Sequence, residues 1–178
     1  MRILKRVLFI IAIIIAIPFI AALLMKKTFV VEREIIIDKP RQEVFTYVKN
    51  LRNQPHYSNW AMRDPDMKAS YTGADGEVGS TMAWESPDPN VGKGELAITN
   101  LVDGERVDVE IRFTEPFVST NPVSTITEPL SDTQTKVKSV YQGTMPYPTN
   151  LMCAIVEDIV AKEMESSLAN LTGVLEMK

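Results

Sequence analysis

Nineteen consecutive residues, Val7 to Met25, carry no charge, and 13 of them are Val, Leu, Ile or Phe. As a helix this segment is about 28 Å long, close to the ~30 Å hydrocarbon core of a bilayer. At roughly −0.5 kcal/mol per strongly apolar residue, transfer into lipid gains about 6 kcal/mol, part of which is offset by a kink at Pro18. A cleaved signal peptide is the rival reading. Ala21 and Ala22 are small, but Ile20 fits the position before a cleavage site poorly, and the run exceeds the ~7–15 residues of a signal-peptide core. Lipoprotein anchoring does not fit, because the single cysteine, Cys153, lies far downstream. Residues 1–27 are therefore expected to form a single-pass membrane anchor, spanning about 7–25, ahead of a domain at 28–178. Arg2, Lys5, Arg6 and the terminal amine favour a cytoplasmic N-terminus, while Lys26 and Lys27 oppose it from the other flank. The expected orientation puts the domain on the extracytoplasmic side.

Charge divides at the same place. Five of the 19 Lys and Arg residues lie in residues 1–27 with no acid, leaving 14 against 23 Asp and Glu beyond, so a −9 domain underlies the chain's −4. With 45% hydrophobic residues in 178, the chain has ample core for one domain, which excludes a disordered segment. One cysteine excludes a disulfide scaffold. No basic stripe interrupts the acidic domain, so nucleic acid is not an expected partner.

Within the domain, Phe29–Ile37 reads as a strand. Asp38 offers an N-cap and Pro40 a first turn for a helix to about Asn50, with Val44, Phe45, Val48 and Leu51 on one stripe. A shorter helical piece covers Gln54–Trp60. From Lys68 the period changes to two, predicting strands at 68–72, 79–85, 93–101, 106–114, 119–129 and 134–142, with Asp103-Gly104 as the best hairpin turn. In the clearest strand Val107, Val109, Ile111 and Phe113 oppose Arg106, Asp108, Glu110 and Arg112. A sheet with one wet face must bury the other, and the long helix available for this runs from about Asn150 to Leu175. Its stripe begins as a broad face of Met152, Ile155, Val156, Ile159 and Val160, then drifts through Met164, Leu168, Leu171 and Leu175, as suits a helix held by a curved sheet. The fold class is α+β.

This order resembles the START-like, helix-grip superfamily (SRPBCC), most closely its polyketide cyclase/dehydrase and lipid-transport group. The resemblance is carried by Val31-Glu32-Arg33-Glu34-Ile35-Ile36-Ile37 followed by Asp38-Lys39-Pro40-Arg41-Gln42-Glu43-Val44-Phe45, and by Leu51-Arg52-Asn53 through Ser58-Asn59-Trp60-Ala61. Val91-Gly92-Lys93-Gly94 and Gly143-Thr144-Met145-Pro146-Tyr147-Pro148, with Asn150-Leu151-Met152 after it, are similar to a membrane-anchored bacterial subgroup. The resemblance implies a seven-stranded antiparallel curved sheet wrapped around the C-terminal helix, with an elongated cavity between them for lipids, sterols, polyketides or other apolar molecules. It implies no catalytic residue.

His56 is the single histidine, which removes multi-His metal sites. It reads as a surface residue and Cys153 as a small buried hydrophobe. Asp64-Pro65-Asp66 and Asp75/Glu77 are acid-rich loops, but the proline spoils a calcium-loop pattern. No metal and no cofactor is expected. The cavity candidates are Trp60, Trp84, Phe113, Met145, Tyr147, Met152 and Val156, residue types that also suit plain core, and two charged residues on apolar faces, Glu163 and Arg33. Three readings of Glu163 stand: at a cavity mouth in water, paired with an interior cation such as Arg33, or touching ligand as a polar group or raised-pKa acid. The leading functional expectation is a membrane-tethered binding domain for a lipid or other apolar small molecule. The alternatives are a cyclase/dehydrase-type enzyme without metal, and a protein-interaction or envelope-stress module whose cavity is filled.

Overall fold

The computed structural model describes residues 2–177; Met1 and Lys178, which end the expected ranges 1–27 and 28–178, lie outside the described residues. The charge-free run lies in α1 (Arg2–Leu24), which begins in the basic residues before Val7 and stops one residue short of Met25, with Pro18 inside it. From Ile3 to Leu24 this helix is long and apolar enough to cross a membrane, and nearly all of it is exposed.

The alternating segments become β1 (Thr28–Ile37), β2 (Lys68–Thr72), β3 (Thr81–Glu85), β4 (Lys93–Val102), β5 (Arg106–Glu115), β6 (Ser119–Ser131) and β7 (Gln134–Thr144). They form one seven-stranded sheet in the order β1-β7-β6-β5-β4-β3-β2, and every pairing is antiparallel. Between β1 and β2 lie α2 (Arg41–Lys49) and the short α3 (Gln54–Tyr57); α4 (Cys153–Glu176) closes the chain after a 3₁₀ turn at Thr149–Met152. Strand β3 starts later than the predicted residue 79 because Gly79, at φ +88°, still belongs to the preceding turn. The Asp103-Gly104 hairpin forms as read. Glu105 N–H donates to Val102 O at 2.9 Å, Gly104 takes φ +70°, and the buried Thr127 hydroxyl donates to Gly104 O at 2.8 Å.

The core lies between the inner sheet face, α2 and the second half of α4. Val44, Phe45 and Val48 of α2, Leu51 of the 3₁₀ turn that follows it, Val107 and Val137 of the sheet, and Leu168, Leu171 and Leu175 of α4 pack in one cluster. Two expectations are corrected here. Asp38 does not cap α2: its carboxylate accepts from Gln134 Nε2 at 2.7 Å, its N–H donates to Glu176 Oε1 at 2.8 Å, and Pro40 holds the N-cap without a side-chain bond. The first half of α4 buries a narrower face than its composition suggests. Cys153 and Ala161 are buried and Val156, Val160 and Met164 pack beside them, whereas Met152, Ile155 and Ile159 stand 51%, 58% and 46% exposed.

Two glycines permit close approach of rings to the sheet. A Cβ on Gly143 would lie 2.2 Å from the Phe29 ring, and one on Gly94 would lie 2.5 Å from the Trp84 ring and 2.4 Å from Arg112 O. Gly94→Ala is therefore expected to lower stability by about 1–3 kcal/mol through overpacking, read as a urea midpoint of the detergent-solubilised chain by tryptophan fluorescence. On the outer face, partial burial raises the Asp108 pKa, but hydrogen bonds from Ser124, Asn100 and Arg106 outweigh it and hold the carboxyl below its ordinary value. A depressed folded pKa contributes stability that is complete above the unfolded value, about pH 4, and is lost as pH falls through the folded one. Wild-type midpoints should fall on acidification below that point, and Asp108→Asn should show a smaller acid loss.

Candidate functional site

Antiparallel register fixes which side chains face α4. Val107, Val109, Ile111 and Phe113 of β5 stand opposite Thr125, Val123, Asn121 and Ser119 of β6, and on β7 Val123 and Thr127 meet Tyr141 and Val137. Along this inner face burial changes from one end to the other. Val107, Val109, Thr127 and Val137 are buried under α2, while Ile111, Phe113, Val123 and Tyr141 are only half-buried. The middle of the sheet is thus packed shut at the α2 end and more open toward the end where β5 ends and β6 begins, while beside it Phe29 and Val31 of β1 stay buried against α4. Asn121, 4% exposed, is a buried polar group in that open half, and its amide donates to Ser119 Oγ at 3.1 Å.

Three of the candidate aromatics come together there. Phe113 packs edge-on to both Trp60 and Trp84, with ring centroids 5.6 and 5.4 Å apart. Trp84 Nε1–H donates to Val91 O at 3.3 Å. Trp60 Nε1–H is buried without an acceptor, which costs about 1–3 kcal/mol relative to a bonded state. Arg63 lies over the Trp60 ring at 5.1 Å and pairs with Glu163 of α4. Glu163 also accepts from Asn59 Nδ2 at 2.8 Å, and Asn59 N–H donates to Ser167 Oγ at 2.9 Å. These bonds clasp the segment after α3 onto α4 at the rim of the interior.

Of the three readings of Glu163, the pairing with Arg33 does not form. Arg33 Nε donates instead to Glu165 Oε1 at 2.6 Å, at an exposed position where β1 passes α4. Long guanidinium stems reach water past an apolar face, so an inward register position does not bury the charge. Val156 and Met145 lie half-buried around Phe29, Val31 and Tyr141. Phe29 and Tyr141 stack at 6.1 Å, and burial pushes the Tyr141 hydroxyl up to about 12. Tyr147 and Met152 are corrected as interior residues. They are 42% and 51% exposed on the outer surface, and Tyr147 packs 6.4 Å from Phe19 of α1. His56 is exposed and Cys153 fully buried. The acid-rich loops hold turns: Asp75 accepts from Leu51 N–H at 2.7 Å, and Asp64 accepts from the Ser86 hydroxyl.

Asn59, Arg63, Asn121 and Tyr141 stand around the same interior and are absent from the sequence candidates. For Asn121 and Tyr141 a signal existed, since period two puts them on the same face as Val123 and Val137. Two shallow grooves lie outside this interior. One of about 460 Å³ runs along α2 past Gln42, Thr46, Tyr47 and Asn50, and one of about 360 Å³ lies among Glu32, Arg33, Glu34 and Lys138.

No family model matches the sequence, and no curated protein is similar to it. Solved structures are similar in fold. Norcoclaurine synthase from Thalictrum flavum, in complex with dopamine and hydroxybenzaldehyde, superposes with a TM-score of 0.64 at 16% identity over 85% of this chain and 88% of that one. A protein of unknown function from Staphylococcus aureus gives 0.63 at 13% identity, over 85% and 95%. The di-domain ARO/CYC BexL from the BE-7585A biosynthetic pathway gives 0.61 at 19%, over 83% of this chain and 46% of its own. A seven-stranded antiparallel sheet curved around a long C-terminal helix is thus the helix-grip fold, and the chain shares that fold with these solved structures.

Proposed function

We propose that the chain is a membrane-tethered binding protein that holds a lipid or other apolar small molecule between the open end of its sheet and α4. One observation carries this reading: the inner face of β5 and β6 passes from buried at the α2 end to partly exposed at the other, and that end contains a buried indole N–H, Trp60 Nε1, with no acceptor. A molecule covering Ile111, Phe113, Val123 and Tyr141 gains about 2.5 kcal/mol for each ~100 Å² of apolar surface it removes from water. One oxygen on it satisfies Trp60, and Asn121 stands nearby for a further polar contact. On this reading α1 is the anchor, residues 28–178 are the binding domain, and the ligand class is set by an apolar wall with few polar points.

The fold also serves enzymes, as norcoclaurine synthase illustrates, and fold alone does not choose. Glu163, the acid best placed for chemistry, is held by Arg63 and Asn59, so acting as a general acid requires breaking that clasp. This weighs toward binding. The aromatic packing of Trp60, Phe113 and Trp84 favours a second reading, an interaction module whose interior is filled by its own side chains.

A titration of the detergent-solubilised full-length chain with brominated stearic acid distinguishes these. Saturable quenching of tryptophan fluorescence is expected. Trp60→Phe should weaken the apparent affinity about fivefold, the value of one lost hydrogen bond near 1 kcal/mol. Ile111→Trp, which fills the open end, should abolish saturable quenching. Quenching that rises linearly with probe in all three proteins would sink the binding reading. The same preparations examined by native mass spectrometry should carry a co-purified apolar adduct that Ile111→Trp lacks.

A further inference from the structure

The hairpin between β5 and β6 ends in two adjacent large apolar residues, Phe117 and Val118, left 81% and 86% exposed. The strand registers place this tip. Glu115 stands opposite Lys93 and Phe113 opposite Ser119, while Thr28 stands opposite Thr144. All of these are strand ends on one edge of an antiparallel sheet, so the tip projects from the edge at which the chain arrives from α1. The same edge is the open end of the interior.

The last turns of α1 fix the direction of approach. Phe19 packs against Tyr147, Ala22 O accepts from Asn150 Nδ2 at 2.7 Å, and Lys26 pairs with Glu157. Moving from Phe19 of α1 to Lys26 just beyond its end therefore moves along the partner segment from Tyr147 into α4. Hence the two helices run the same way there, and the N-terminal turns of α1 project past the sheet edge. A bilayer spanned by α1 would lie with its near surface close to Phe19–Leu24, the level of Tyr147, a residue type favoured at that interface. Met152 and Ile155, 51% and 58% exposed, flank it. The carboxylate beside the tip, Glu115, is paired with Lys93 at 3.4 Å, so insertion of the tip carries in no bare acid from that position.

We propose that Phe117 and Val118, with Tyr147, Met152 and Ile155, enter the same membrane leaflet that α1 leaves, so that the open end of the interior faces lipid directly. The proposal rests on reading α1 as a membrane-spanning anchor. The contact is apolar, and the acidic body opposes rather than supplies it, so added salt leaves it intact or strengthens it.

The test uses the full-length chain in phosphatidylcholine vesicles with chains brominated near the headgroup, and a bimane label on Val118→Cys, Ile13→Cys or Thr133→Cys. Cys153 is fully buried, and unsubstituted protein that takes up no label controls for it. Thr133 sits in the β6–β7 turn at the opposite edge of the sheet. Quenching at residue 118 within about twofold of that at residue 13, with none at 133 and no loss in high salt, is the expected result. Quenching at 13 with residue 118 as dark to bromine as 133 overturns the proposal while leaving the anchor intact. No quenching at residue 13 overturns the anchor reading itself, and this proposal with it. Phe117→Cys repeats the measurement at the neighbouring position and must agree with 118.

Discussion

One buried amide joins the two parts of this molecule. Asn150, 0% exposed, donates from Nδ2 to Ala22 O at 2.7 Å and to Met25 O at 3.1 Å. The last carbonyls of a helix have no partner within it, and here a side chain from the turn before α4 supplies one. Met145 N–H adds a bond to Lys27 O at 2.8 Å, carrying the β1–β7 ladder into the connector. The direction of α1, the level of Tyr147 and the orientation of the open sheet edge all follow from this joint. A flexible joint would leave those relations undefined.

The gradient of burial inside the sheet has a comparable physical origin. At one end α2 supplies Val44, Phe45 and Val48 to the inner face, and the core closes on them. At the other end β6 itself turns polar: Ser119 and Asn121 sit on its inner face, opposite Phe113 and Ile111. Polar side chains lower the gain from collapse, so α4 and the sheet are not drawn shut there. The aromatic group of Trp60, Phe113 and Trp84 covers one side of the gap, and the Arg63–Glu163–Asn59 clasp fixes its rim.

Local periodicity carried most of the fold. The strand with Val107 to Phe113 on one face, the α2 stripe and the Asp103-Gly104 turn each depend on neighbours in sequence, and each is found where the pattern puts it. What depended on distant partners was not legible. Five apolar residues at the start of α4 define a broad face, and nothing local says that Cys153, Val156 and Val160 meet the sheet while Ile155 and Ile159 do not. Glu163 could be recognised as out of place, but its partner Arg63 lies a hundred residues earlier and no more marked in sequence than Arg33. Asp38 has the composition of a cap and is claimed instead by Gln134 and the end of α4. The orphaned Trp60 N–H had no sequence signal, since satisfaction of a donor is a property of packing.

The connector between α1 and β1 is only Met25–Lys27, with Asn150 and Glu157 gripping both sides of it. Three residues span at most about 11 Å when fully extended, and these are not free to extend. On the tethered reading the body cannot ferry cargo across an aqueous gap. Its search for a ligand is lateral, confined to one surface, and its rate scales with how crowded that surface is rather than with concentration in the surrounding solution. Exchange with anything not embedded in the same sheet of lipid then requires the other party to come to it.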